Sequence, residues 1–487
     1  MTRSPKPPTG AAAGRVVPDL TRAERQSAGK LARTRVPRES HAAWVPWPGR
    51  PDPVDLLELQ AESRVPNLVP IRYGRMMVSP FAFFRGAALQ MAADLAHTPD
   101  SGLRVQACGD AHLANFGGFG SPERELLFDL NDFDETLPGP WEWDVKRLVA
   151  SLAVAGRAGG LSKAERREVL LAGTCRYRQA MRGFAQMGNL EVWYSMLTDA
   201  TLAQVLSAVK AARQRVQKRE LEKRIKRAEV KAEANDSIRA FNKLTTVVDG
   251  RLQIISDPPL IVRAIDLLPP GEADDVLERV HELVRGYRAT LPDDRRHLLE
   301  GYRVVDVARK VVGVGSVGTR CWIVLLEGRS TPEDPLFLQV KEAEASVLEP
   351  YAGKSRFRNH GQRVVEGQRL MQAASDIMLG WLHTDAGMDG KPRDFYVRQL
   401  WDWKFSARLD SASAPLLAPY AEMCAWTLAR SHARSGDRVA IAAYLGNGDQ
   451  FDRAIAQFAE AYADQTERDY GALVAAVKSG RLTAEGP

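Results

Sequence analysis

The 487-residue chain has only four cysteines, Cys108, Cys175, Cys321 and Cys424, widely separated and never paired as C-x-x-C. This scarcity excludes a disulfide framework and a thiolate metal cluster, and it fits a reducing, cytoplasmic setting. Long apolar runs are also missing, and none approaches the ~18–20 residues that a membrane helix needs. The opening TRSPKPPTGAAAGRVVP lacks the unbroken apolar stretch of a secretory signal. Its mixture of proline, charge and small side chains predicts a disordered tail over residues 1–45. Nor is there a large excess of one charge. A formal net charge of +6 is small for this length and argues against a nucleic-acid binder. The only hint the other way is the basic run Lys210–Lys231, whose few apolar positions predict a solvated helix. No internal repeat is found.

What is present is 45% hydrophobic residues, enough for two or three packed units. Ser79 is placed to cap a helix over Pro80–His97. A short strand, LRVQAC, leads into a glycine-rich loop, GDAHLANFGGFG, and a second, ELLFDL, into NDFDETLPGP. WEWDVKRLVASLAVAGRAG has helical periodicity. A hairpin is expected over Thr245–Val262, with its turn at Asp249-Gly250, followed by an amphipathic helix, EADDVLERVHELVRGYRATL. The texture then becomes β-branched and glycine-punctuated up to FYVRQLWDWK, and is helical again from about Ala418. These shifts predict an α+β chain with a mixed part at 60–245, a connector at 246–299, a β-rich lobe at 300–405 and a helical end at 406–487.

Phosphoryl transfer from ATP needs a carboxylate beside the attacking hydroxyl, ligands for Mg²⁺ and a cradle for the phosphates. In GDAHLAN, Asp110 and Asn115 stand five apart, the offset of the kinase pattern D-x-x-x-x-N. There the aspartate orients the substrate hydroxyl and accepts its proton, and the asparagine oxygen binds metal. Beyond the next strand come Asp132-Phe133-Asp134, carboxylates of the kind that hard cations prefer.

Together, GDAHLAN, NDFD and GPWEWDVKRL resemble the aminoglycoside-phosphotransferase and choline-kinase branch of the kinase superfamily. In that branch the loop reads H-G-D-x-H-x-x-N and the metal motif D-F-[DE]; here Cys108 stands at the first histidine. From about residue 60, nearly the whole chain is also similar to the bacterial family called domain of unknown function 2252, which is grouped with kinase-like folds. The resemblance implies a catalytic base at Asp110 with His112 beside it, and metal ligands at Asn115, Asp132 and Asp134. It makes Asp144 a structural brace for the catalytic loop.

The remaining kinase parts come later in the chain. Gly313-Val314-Gly315-Ser316-Val317-Gly318 is a G-x-G-x-x-G run followed by a strand, CWIVLLEG, rather than by the helix of a dinucleotide-binding fold. Gly313, Gly315, Ser316 and Gly318 are therefore expected at the ATP phosphates. Lys341, at the end of PLFLQV, is the expected phosphate-pairing lysine, with Glu366 on the next helix as its partner. Gln399 and Trp401 fall where a kinase hinge holds adenine. This order implies a two-lobed, circularly permuted kinase-like fold with extra helices. The function expected is an ATP- and Mg²⁺-dependent kinase acting on a small-molecule or protein hydroxyl. AMP transfer on the same residues and a non-catalytic nucleotide-binding scaffold remain as alternatives.

Overall fold

The computed structural model describes residues 19–198, 241, 243–249, 251–267, 273–330, 334–387, 389–400 and 414–486. The basic run at 210–231, Gly250 and Trp401 lie outside them.

Within residues 1–45, expected to be a tail, the described part begins at residue 19 and is helical from Arg22. Thr21 caps α1 (Arg22–Arg35), and the Thr21 N–H donates to the Glu24 carboxylate at 2.7 Å, forming a capping box. The buried residues of α1, Gly29 and Ala32, are small because the helix lies close against Arg438–Leu445: a side chain at Gly29 would meet the Ala440 carbonyl. Next, His41 is wholly buried, with Nε2 2.6 Å from the Tyr444 hydroxyl. Burial, and then the charge of Lys146, lower its pKa to about 3. The folded protein therefore binds this proton less readily than the unfolded chain. The resulting stability is intact above about pH 6.5 and falls by about 1.4 kcal/mol per pH unit toward pH 3. Denaturation midpoints measured from pH 7 to 4 should show this slope in the wild type and a shallower one in His41→Gln.

α2 (Pro53–Ala61) and α3 (Val69–Met76) precede the Ser79-capped α4 (Pro80–Gly86) and α5 (Ala88–Leu95). The single helix expected over Pro80–His97 is thus broken at Ala87. The Gly86 carbonyl there is held by Arg72 Nη2 at 3.0 Å. β1 (Arg104–Ala107) and β4 (Leu137–Pro140) pair antiparallel, while β2 (Phe116–Gly120), β3 (Leu126–Leu130) and β5 (Leu197–Thr198) form a second small sheet. FGGFG, read as loop, is therefore strand β2. Its residues are all buried, and its ladder to β3 satisfies the backbone groups. α6 (Trp141–Ala158) is buried from Trp141 through Gly156, as a helix enclosed on all sides must be. It forms the main core with α7 (Lys163–Phe184) and the C-terminal helices.

The second layer is a six-stranded antiparallel sheet with strand order β12-β13-β11-β10-β9-β8. The hairpin β6 (Thr245–Val248) and β7 (Arg251–Ile254) precedes it, with Asp249 left-handed at φ 50° in the turn. The sheet comprises β8 (Ile261–Arg263), β9 (Tyr302–Lys310), β10 (Cys321–Gly328), β11 (Pro335–Ala343), β12 (Gly380–Thr384) and β13 (Arg393–Gln399). α8 (Ala273–Arg288) packs on this sheet, where Tyr287 joins Leu326, Leu338 and Val397 in one apolar cluster. The sheet unit therefore begins near Ile261 rather than at residue 300, because edge strand β8 and α8 come from the expected connector. α9 (His360–Met371) links β11 to β12. α10 (Ala414–Ser435), α11 (Arg438–Leu445) and α12 (Gln450–Lys478) return the chain to the helical layer. No helix among the described residues is long and apolar enough to cross a membrane.

Candidate active site

The segment after β1 is pinned from below by α6. The Asp144 carboxylate accepts from the Cys108 N–H at 2.6 Å and the Gly109 N–H at 2.9 Å, and lies 3.1 Å from His432 Nε2 of α10. Asp144 thus braces the loop. Gly109 has φ +83°, and a side chain there would strike the Glu135 carbonyl. One turn along α6, Arg147 points at the loop and holds Asp110 Oδ1 at 2.7 Å. Burial raises the Asp110 pKa to about 6 against the opposing pull of Arg147. His112 Nε2 lies 3.8 Å from Asp110 Oδ2, and burial together with Arg147 and Arg85 keeps its ring neutral. The Asn115 amide nitrogen donates to the Asp110 carbonyl at 2.7 Å.

The Asp132–Asp134 turn faces this loop. Cys108, at the histidine position of the resembled motif, donates its thiol to the Asp132 carbonyl at 3.3 Å. Lys341, buried on β11, makes a close ion pair with Asp134 and lies 3.9 Å from Asp132. Burial pushes both carboxyls up. For Asp134, Lys341 and the Tyr396 hydroxyl at 2.7 Å outweigh burial and hold the carboxyl below its usual range. For Asp132, burial and the neighbouring Asp134 prevail and raise it. The two acids hold Lys341 well above the ordinary lysine range.

β9 and β10 are joined by the glycine run, which closes over the same cleft. Gly313 and Gly318 have positive φ, and a side chain on Gly315 would come within 3.1 Å of the Arg85 carbonyl. The loop is held from outside by Arg75, which donates to the Gly313 carbonyl at 2.7 Å, and by the Val65 N–H on the Gly318 carbonyl at 2.8 Å. The cleft has a volume of about 280 Å³ and is lined by Asp110, His112, Asn115, Asp132, Asp134, Gly313, Gly315 and Ser316, among others.

Two expected residues fall elsewhere. Glu366 pairs with Arg369 one turn along α9, at 3.1 Å, and the carboxylates facing Lys341 are Asp134 and Asp132 instead. The Gln399 N–H donates to the Asp376 carboxylate, so it is not an open donor for adenine. Trp401 lies beyond the described residues.

Several residues at the site were not anticipated. Arg363 of α9 donates to the carbonyls of Asp134, Thr136 and Glu344 at 2.7–2.8 Å, tying the helix to the acidic turn. Tyr396 is the cross-strand partner of Lys341. Arg147 lies three residues beyond Asp144 and therefore on the same helix face, a spacing from which it could have been found.

Among the described residues, no group of three or more His, Cys, Asp or Glu side chains could hold a metal ion. Mg²⁺ does not require one, since it is held by one or two carboxylates together with water and substrate phosphates. Asp132, Asp134 and the Asn115 oxygen fit that demand.

No curated protein and no solved structure gives a significant match to the chain. The family model for an uncharacterized protein conserved in bacteria, DUF2252, matches residues 64–476, most of the chain, and the protein belongs to that family.

Proposed function

We propose that this protein is an ATP- and Mg²⁺-dependent phosphotransferase of kinase-like, permuted architecture that acts on a hydroxyl. The observation that carries the reading is the meeting of Lys341 with Asp134, 207 residues earlier in the chain, where Asp134 lines a cleft together with Asp110 and Asn115. The order of parts in the sheet supports it: a glycine loop between the first two long strands, the lysine on the third, and a helix after it. Asp110 would take the proton of the acceptor hydroxyl while Arg147 fixes the carboxylate. Gly313–Gly318 would offer backbone N–H groups to the phosphates, and Lys341 would pair with them. Mg²⁺, when bound by Asn115, Asp132 and Asp134, would offset the phosphate charge. Arg363 takes over from a helix glutamate the task of coupling α9 to the acidic turn.

The test is to incubate the full-length protein with Mg²⁺ and ATP labelled at the γ or the α position, across a panel of hydroxyl-bearing metabolites and proteins. The expected result is ADP release with γ-label in one acceptor, abolished in Asp132→Ala. Label transferred from the α position would assign AMP transfer instead. Absence of nucleotide binding by the wild type would refute both.

A further inference from the structure

Several enclosed arginines among the described residues face a carboxylate. Arg178 pairs with Asp452 at 2.8 Å, and Arg50 with Asp94 at 2.9 Å and Asp469 at 2.6 Å. Arg72 differs from these. It is wholly buried, and only its Nη2 has partners, the neutral oxygens of Gln60 at 2.9 Å and Gly86 at 3.0 Å. Its Nε and Nη1 have none. Burial and the like charge of Arg64 both disfavour its ionised form, and no carboxylate offsets them. A guanidinium kept in this state has a desolvation cost that an anion beside it would remove.

The position of Arg72 says where that anion would sit. Arg72, Arg64 and Arg85 line the same cleft as Asp110. Arg64 also has a buried Nε without a partner, while its Nη1 holds the Val317 carbonyl of the glycine loop. Arg85 and Asp110 line one cleft, so the arginines share it with the base. Both Arg64 and Arg72 come from the segment around α2 and α3, outside the sheet that carries the glycine loop and Lys341. They enter the cleft that holds Asp110 from elements other than the one that carries Lys341.

We infer that Arg64 and Arg72 bind an anionic group, a phosphate or a carboxylate, carried by the acceptor. The substrate class is then an anionic hydroxyl compound, a sugar phosphate or a hydroxy acid in chemical terms. This assignment of the anion to an acceptor rests on the phosphotransfer reading.

The experiment titrates inorganic phosphate, by calorimetry, into full-length protein saturated with Mg²⁺ and a non-hydrolysable ATP analogue. The analogue fills the γ-phosphate position, so added phosphate reports a separate site. Phosphate should bind the wild type and lose roughly tenfold or more in affinity in Arg72→Gln and in Arg64→Gln. Analogue affinity should stay within about twofold in Arg72→Gln, whose bonds go to Gln60 and Gly86 and not to the glycine loop. Arg64 is only partly buried, so its variant keeps the test open should Arg72→Gln unfold. Phosphate binding that the analogue abolishes would give the arginines to the nucleotide and overturn the acceptor assignment. Equal phosphate affinity in wild type and variants, or no binding, would overturn the site. Failure of the analogue to bind, with Arg64-dependent phosphate binding intact, would instead remove the phosphotransfer reading and the acceptor role while leaving an anion site.

Discussion

Asp110→Ala is expected to lower kcat by about 10²–10⁴-fold, the usual contribution of a positioned general base. Nucleotide affinity should change by less than about twofold, because Asp110 is not a nucleotide ligand in this reading. The geometry makes the substitution a clean probe. Asp110 is fixed by Arg147, and the loop around it is held independently by Asp144, so truncating one carboxylate leaves the brace in place. The pH profile supplies a second readout. With its pKa raised to about 6, mainly by burial, Asp110 is protonated below that value and acquires its basic form above it. Wild-type turnover should therefore climb as pH increases through about 6 and then level off. Asp110→Ala should lose this limb along with most of the rate. Steady-state ADP release from pH 5 to 8, with nucleotide titrations on both proteins, decides the matter. An Asp110→Ala enzyme with wild-type kcat would remove Asp110 from the chemistry.

The parts of the site that were legible in the sequence are those whose geometry is local. Asp110 and Asn115 share one short loop, Asp132 and Asp134 share one turn, and Gly313 to Gly318 join two strands with recognisable texture. What failed depended on which distant elements meet. Glu366 was matched to Lys341 because a helix follows the lysine strand, yet helix rotation turns Glu366 toward Arg369 and brings Arg363 to the acidic turn. Arg72 gives no signal along the chain, since nothing in V-P-I-R-Y says that its head will be enclosed without a counter-charge. The N-terminal error has another cause. T-R-A-E is a capping-box pattern, but composition averaged over the first 45 residues hid it beneath proline and small side chains. Similarly, three glycines, Gly117, Gly118 and Gly120, made FGGFG read as loop, although pairing with β3 holds it as strand.

Asp129→Ala is expected to destabilise the protein by about 3–5 kcal/mol, the range for breaking a buried ion pair from one side. Asp129 of β3 and Arg430 of α10 are both fully enclosed and form an ion pair. The Asp129 carboxylate also accepts from the Ala373 N–H at 2.7 Å, and Arg430 Nη1 donates to the Met371 carbonyl at 2.7 Å. Three elements therefore meet at one buried charge pair: the small sheet, α10 and the end of α9. Removing the carboxylate strands a guanidinium without a counter-charge and releases the C-terminus of α9, whose other end carries Arg363 to the acidic turn. Adding Arg430→Met to Asp129→Ala should recover part of the loss, because an apolar side chain of similar reach needs no counter-ion there. Chemical denaturation of the wild type, both single variants and the double variant measures this coupling. A destabilisation below about 1 kcal/mol in Asp129→Ala would place the pair among interactions of surface strength and detach α9 from it.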